Sequence, residues 1–215
     1  KKRCEALFCV ALSAVEGGKL SVTGLGRSME GRAREKHKIK KADRLLSNDI
    51  LGDEILEVYR SLAAAVIGAI RRPIIQVDWS NIDMGQNFFL LRATCAVHGR
   101  SLTIYEEVHG VSTKEKRSTH ACFLRNLKKV LPEDSLPIIV TDAGFRGPWF
   151  RAVSKLGWDW VGRVRNRDYV RLSNCSCWQG AKTLYKQATR TPKLLGHLHG
   201  LFDGDLVRWS VDDFG

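Results

Sequence analysis

Two aspartates stand at the ends of strand-like apolar runs. Asp78 follows Pro73-Ile74-Ile75-Gln76-Val77, and Asp142 follows Pro137-Ile138-Ile139-Val140-Thr141. A carboxylate at the end of an apolar strand is costly to bury without a cation or a hydrogen-bond partner. Both lie in a chain of net charge +12. Two acids in a basic protein point to a divalent metal ion working on a polyanion. Phosphodiester cleavage is the matching chemistry, with hard cations bridging carboxylates and phosphate oxygens. The structural alternative is a capped strand end at Asp78 and a turn or helix N-cap at Asp142.

The elements that must position these acids follow from the pattern of the chain. Its 215 residues suffice for one full domain and a smaller appendage. A hydrophobic content of 44% argues for a packed core. The 35 Lys and Arg against 23 Asp and Glu favour an anionic partner, nucleic acid or an acidic membrane surface. No apolar run reaches the length of a membrane span. Residues 4–16 are apolar, but Glu5 and Glu16 interrupt them and the spacing is helical, so a buried helix is expected, not a signal peptide. Six irregularly spaced cysteines make no disulfide framework, which fits a reducing, cytoplasmic setting. Cys95 and Cys122 are expected in the core.

Residues 1–72 read as a helical, basic, DNA-binding region. Helices are expected over 5–16 and 49–70, with a Gly-rich loop over 19–26 and a basic stretch over 27–48. From Pro73 the pattern changes. Strands are expected over 74–79, 88–97 and 101–108, the last two joined by a tight His98-Gly99 turn. A helix over 112–131, a short β-branched strand over 138–141, a helix from Pro148 to about Leu156 and a strand over 158–164 complete the order β-β-β-α-β-α-β, a mixed α/β domain over 73–165. Residues 166–215 read as a partial β-rich insertion and a tail.

If the first and fourth strands are neighbours, the two carboxylates meet at one edge of the sheet, beside strand ends where ligands collect. That order resembles the ribonuclease-H-like fold of nucleases and DDE transposases. The segments IIQVDWSNI (74–82), LPIIVTDAGFRGPWF (136–150) and WDWVGRVRNRDYV (158–170) resemble transposases of bacterial insertion sequences, in particular the insertion-sequence-4-like group. The resemblance spans roughly residues 30–200. It implies that Asp78 and Asp142 are the first two catalytic, metal-binding acids, with Mg²⁺ or Mn²⁺ as cofactor. It also implies double-stranded DNA as partner (element ends and target), a homodimer when complete, and a cytoplasmic, nucleoid-associated bacterial setting. The reaction implied is strand cleavage followed by strand transfer. The rivals are a ribonuclease-H-like endonuclease that only cuts and a non-catalytic DNA-binding remnant.

The resemblance also implies a third acid, a glutamate on a later helix. No glutamate follows Glu133. The expectation is therefore a truncated or frameshifted chain carrying two of three acids and cutting little or not at all, with Asp212 or Asp213 the leading substitute only if strand transfer is seen. The expected DNA contacts are Arg34, Lys36, Lys38, Lys40, Lys41 and Arg44 in the basic stretch. Arg146 beyond the second acid, and Arg163, Arg165 and Arg167 alternating along a strand-like segment, join them. Asp83 is expected in a turn, Glu106 and Glu107 on a solvated edge, and Trp79, Trp149, Trp158 and Trp160 in the core. Cys175, Cys177, His197 and His199 are spaced too tightly for an ordinary zinc site.

Overall fold

The structure is a computed structural model that describes residues 2–17, 19–165, 167–172, 176–187, 198–202 and 205–209. Cys175, His197, Asp212 and Asp213 lie outside the described residues, as does most of the tail. The chain divides into two compact units, Lys1–Ile55 and Leu56–Gly215. The division falls earlier than residue 72, because the second half of a long helix, from Leu56, packs on the sheet that follows.

The first unit is helical: α1 Lys2–Val15, α2 Val22–Ser28, α3 Glu35–Leu46 and the start of α4, Asp49–Ile67. Val10, Leu25, Met29, Ala42 and Leu45 form its core. Helix α2 occupies what the sequence suggests is a Gly-rich loop. Its glycines serve close packing instead of flexibility. A Cβ on Gly26 would stand 2.4 Å from the Ile39 Cα, so only glycine lets α2 and α3 approach so closely. Ser21 caps the helix, accepting from the Gly24 amide at 3.1 Å.

The second unit is built on a five-stranded sheet. Its strands are β1 Ile74–Asn81, β2 Phe88–Val97, β3 Arg100–Gly110, β4 Ile138–Thr141 and β5 Asp159–Gly162. Their order is β3-β2-β1-β4-β5. The first three form an antiparallel meander; β4 and β5 run parallel to β1. This is the ribonuclease-H-like arrangement. His98 and Gly99 both take positive φ (47° and 76°), as a two-residue hairpin turn requires.

Two helices follow within the sheet's connections: α5 Arg117–Val130 and α6 Gly147–Lys155. The former starts later than 112, because Glu115 takes φ of 58° and residues 111–115 form turns. One sheet face carries Ile75, Val77, Leu91, Ala93 and Ile139, all but fully buried with Phe123, Leu124, Leu127, Trp149, Phe150 and Val153 of the helices. The opposite face presents Ile74, Gln76, Asp78 and Ser80 of β1, all exposed. Beyond the domain, β6 Tyr169–Leu172, β7 Gln179–Gly180, β8 Leu198–Phe202 and β9 Asp205–Trp209 form a second sheet in the order β7-β6-β8-β9. This is the β-rich continuation read from the sequence.

Among the described residues no helix is long and apolar enough to cross a membrane. The cysteines at 4, 9, 95 and 122 are free thiols. Cys95 is buried as expected, but Cys122 is exposed, because it falls on the outer side of α5.

Candidate active site

The register of the sheet sets the two acids side by side. Val77 pairs with Thr141 across the parallel β1–β4 ladder. Asp78 and Asp142 are each the next residue, on strands about 4.8 Å apart. Both are exposed. They therefore avoid most of the burial cost that their apolar flanks suggest. Each carboxylate is held by a neighbouring backbone amide. The Trp79 amide donates to Asp78 Oδ1 at 2.8 Å. The Gly144 amide donates to Asp142 Oδ1 at 2.8 Å.

The pair interacts electrostatically. Desolvation at the sheet surface raises the Asp78 pKa above the ordinary aspartate value, and the nearby Asp142 charge raises it further, while the Trp79 amide opposes both. The residue is exposed as a whole, so its carboxyl is only partly desolvated by the flanking strands. Two anionic oxygens repelling each other at a strand end are a hard-donor set that a divalent cation would relieve. The residues present thus fit a metal ion in part. Asp78 and Asp142 would hold it, and the Oδ2 of each has no hydrogen-bond partner among the described residues. No group of three or more His, Cys, Asp or Glu side chains is placed to hold a metal among the described residues. When bound, such an ion would polarise a phosphate oxygen and activate water.

The basic residues are placed less simply than their spacing suggests. Arg34, Lys36, Lys40 and Arg44 are exposed on or beside α3. Lys38 and Lys41 are half-buried. Lys38 Nζ donates to the Met29 carbonyl at 2.7 Å, and Lys41 Nζ lies 3.2 Å from Cys9 Sγ, so these two cations tie the helical unit together. Arg163, Arg165 and Arg167 do not alternate along a strand, because β5 ends at Gly162 and residues 163–165, 167 and 168 lie outside any strand. They nevertheless gather with Arg146 around a shallow depression beside Ala143 and Phe145, just past Asp142. Arg165 Nε donates to the Ala143 carbonyl at 2.6 Å, and the Arg165 amide to Asp168 Oδ2 at 2.8 Å. Its guanidinium is therefore committed to bracing the loop, while Arg163 and Arg167 stay exposed.

Asp83 is a turn residue, accepting from the Asn87 and Phe88 amides at 3.0 and 2.9 Å. Glu106 pairs with Arg92 at 2.8 Å on the open face. Glu107 departs from the solvated edge expected. Its side chain is 17% exposed on the core face, accepting from Tyr105 Oη and from Asn126 Nδ2 at 3.0 Å, with His109 Nε2 at 2.9 Å. Trp149 and Trp158 are buried, and Trp79 and Trp160 half-buried, in the core cluster.

One residue near the acids was not singled out from sequence. His120 accepts a hydrogen bond from Trp79 Nε1 at 3.2 Å and stacks on Phe145, with ring centroids 5.3 Å apart. Its signal is its phase: half-buried His120 is in register with the buried Phe123, Leu124 and Leu127 of α5.

A mixed sheet of this order, with two carboxylates side by side on the neighbouring parallel strand β1 and just past β4, defines a ribonuclease-H-like domain. The transposase DDE domain family matches residues 70–200, more than half of the chain, and the chain belongs to that family. Among solved structures the chain is similar to the one described as the crystal structure of the Mos1 strand transfer complex, at 15% identity and a TM-score of 0.31. That match covers 76% of this chain, and the chain spans 59% of the other's length. No curated protein sequence matches.

Proposed function

We propose that this chain is part of a DDE transposase that cuts and joins DNA at the ends of an insertion sequence, in the bacterial cytoplasm and as a homodimer. Asp78 and Asp142 are its first two catalytic acids, and Mg²⁺, or Mn²⁺ in its place, is the ion they hold. The observation that carries this reading is the register: Val77 against Thr141 makes Asp78 and Asp142 neighbours in a chain of the DDE family. With the ion bound, the chemistry supplied is activation of water and stabilisation of the leaving oxygen. The two carboxylates orient the ion. The Trp79 and Gly144 amides fix one oxygen of each carboxylate, leaving the other to face the ion. The exposed cations Arg34, Lys36, Lys40, Arg44, Arg163 and Arg167 would bind the DNA backbone through its phosphates.

Residues 1–55 serve in this reading as the DNA-binding unit and the sheet domain as the catalytic unit. The test is Mg²⁺-dependent nicking of duplex carrying the inverted repeats that flank the gene, with random duplex as control. Cuts at the repeat ends that vanish in Asp78→Asn and Asp142→Asn support the proposal. Equal cutting of random duplex would favour a simple nuclease. A non-catalytic remnant is the second reading, favoured by the absence, among the described residues, of a third acidic, His or Cys side chain grouped with the pair. End-specific binding with no cutting would select it.

A further inference from the structure

Both carboxylates are anchored through residues that meet on a single ring on the other face of the sheet. Trp79 holds Asp78 with its backbone amide and points its indole to the core face, where Nε1 donates to His120 Nε2. Gly144 holds Asp142 with its amide, and the next residue, Phe145, lies against the same His120 ring at 5.3 Å with planes 29° apart. Trp149 closes the cluster, 5.1 Å from His120 and 4.6 Å from Phe145. The geometry points to His120 as a positioning residue that clamps Trp79 of β1 and the loop after β4 together, and so sets the spacing of Asp78 and Asp142. This rests on the reading that the two acids hold a cation.

The ring's role is that of an acceptor. An indole N–H can only donate, so His120 Nε2 must be unprotonated and the ring neutral. Burial, the largest cause, holds its pKa down to about 4, with His109 adding to the depression and Glu115 opposing it. The neutral state needed for the clamp is therefore the state the site favours. Removing the acceptor would leave the half-buried Trp79 indole N–H without its partner and loosen the stretch of β1 that presents Asp78. Removing the ring would release Phe145 and the loop that presents Asp142.

Three variants of this chain separate positioning from simple packing. His120→Phe keeps a stacking ring and loses the acceptor. His120→Gln keeps an acceptor and loses the ring. Trp79→Phe removes the donor. Hydrogen exchange at the Trp79 and Gly144 amides reads the clamp without metal, and Mn²⁺ titration followed by electron paramagnetic resonance reads the acids. The clamp predicts that His120→Phe and Trp79→Phe speed exchange at Trp79 roughly tenfold, as expected for loss of one hydrogen bond. They should also weaken Mn²⁺ binding roughly tenfold. His120→Gln should restore slow exchange at Trp79 while Gly144 exchanges faster.

Unchanged exchange at both amides in His120→Phe overturns the clamp. So does Mn²⁺ affinity that simply follows the stability order of the variants. Amides that respond as expected, with Mn²⁺ uptake unaltered by Asp78→Asn, would sustain the clamp and refute the cation reading instead.

Discussion

Lowering the pH should destabilise the second unit through His120, by an amount the structure lets us calculate. The folded ring titrates at about 4 against an ordinary 6.5. Between those values the unfolded chain binds a proton that the folded chain does not. Stability from this group is therefore fully present above about pH 6.5, falls as the pH drops, and levels off below about 4. Taken from pH 7.5 to pH 5, the two titrations differ by about 1.5 logarithmic units, or about 2 kcal/mol. Glu115 and His109 act on the ring, and Arg117 and Arg146 line the pocket it shares, so their charges are part of the measured slope. All six tryptophans lie beyond residue 78, so fluorescence during urea unfolding reports the second unit alone. His120→Phe removes the titrating group, and its stability should change about 2 kcal/mol less over this range. Parallel slopes for the two proteins, or a His120 resonance titrating near 6.5, would refute the account of a buried neutral acceptor.

Three further outcomes follow from other parts of the molecule. Gly26→Ala should loosen the α2–α3 contact at a cost of about 1–3 kcal/mol, since its Cβ would meet Ile39 backbone at 2.4 Å, visible as faster amide exchange confined to the first unit. Replacing Arg34, Lys36, Lys40 and Arg44 with alanine should lower the log–log salt slope of DNA binding by up to about 3.5, at about 0.9 per phosphate contact. Replacing Lys38 and Lys41 should destabilise the helical unit and leave that slope nearly unchanged. Asp142→Asn should lower the Asp78 pKa by removing a neighbouring charge, measurable by carboxyl ¹³C titration; no change would place the two carboxyls out of electrostatic reach.

The sequence made legible what depends on short-range pattern. Strand β2 and strand β4 fall where apolar runs and turn residues set them, while the Val77–Thr141 register needs the structure. Helix α2 was hidden, because glycine signals a loop when read alone and close packing only when Ile39 is seen against Gly26. Glu107 was hidden for a related reason. Its partners Tyr105, Asn126 and His109 come from two elements, and no local pattern announces a half-buried acid with three polar neighbours. The arginines of 163–167 alternate in sequence, but alternation selects a face only in a strand, and β5 has already ended. His120 was in phase with the apolar stripe of α5, yet phase alone does not tell a packed histidine from one that reaches the residues beside both acids.

The central claim is that Asp78 and Asp142 together hold a divalent ion, and metal-directed backbone cleavage tests it most directly. Fe²⁺ bound in place of the native ion, with ascorbate and peroxide, generates hydroxyl radicals that cut the chain nearest the metal. The account predicts two cuts, one close to Asp78 and one close to Asp142, suppressed by excess Mg²⁺ and lost in both Asp78→Asn and Asp142→Asn. Cuts elsewhere, or cuts at these places that survive both substitutions, would contradict it.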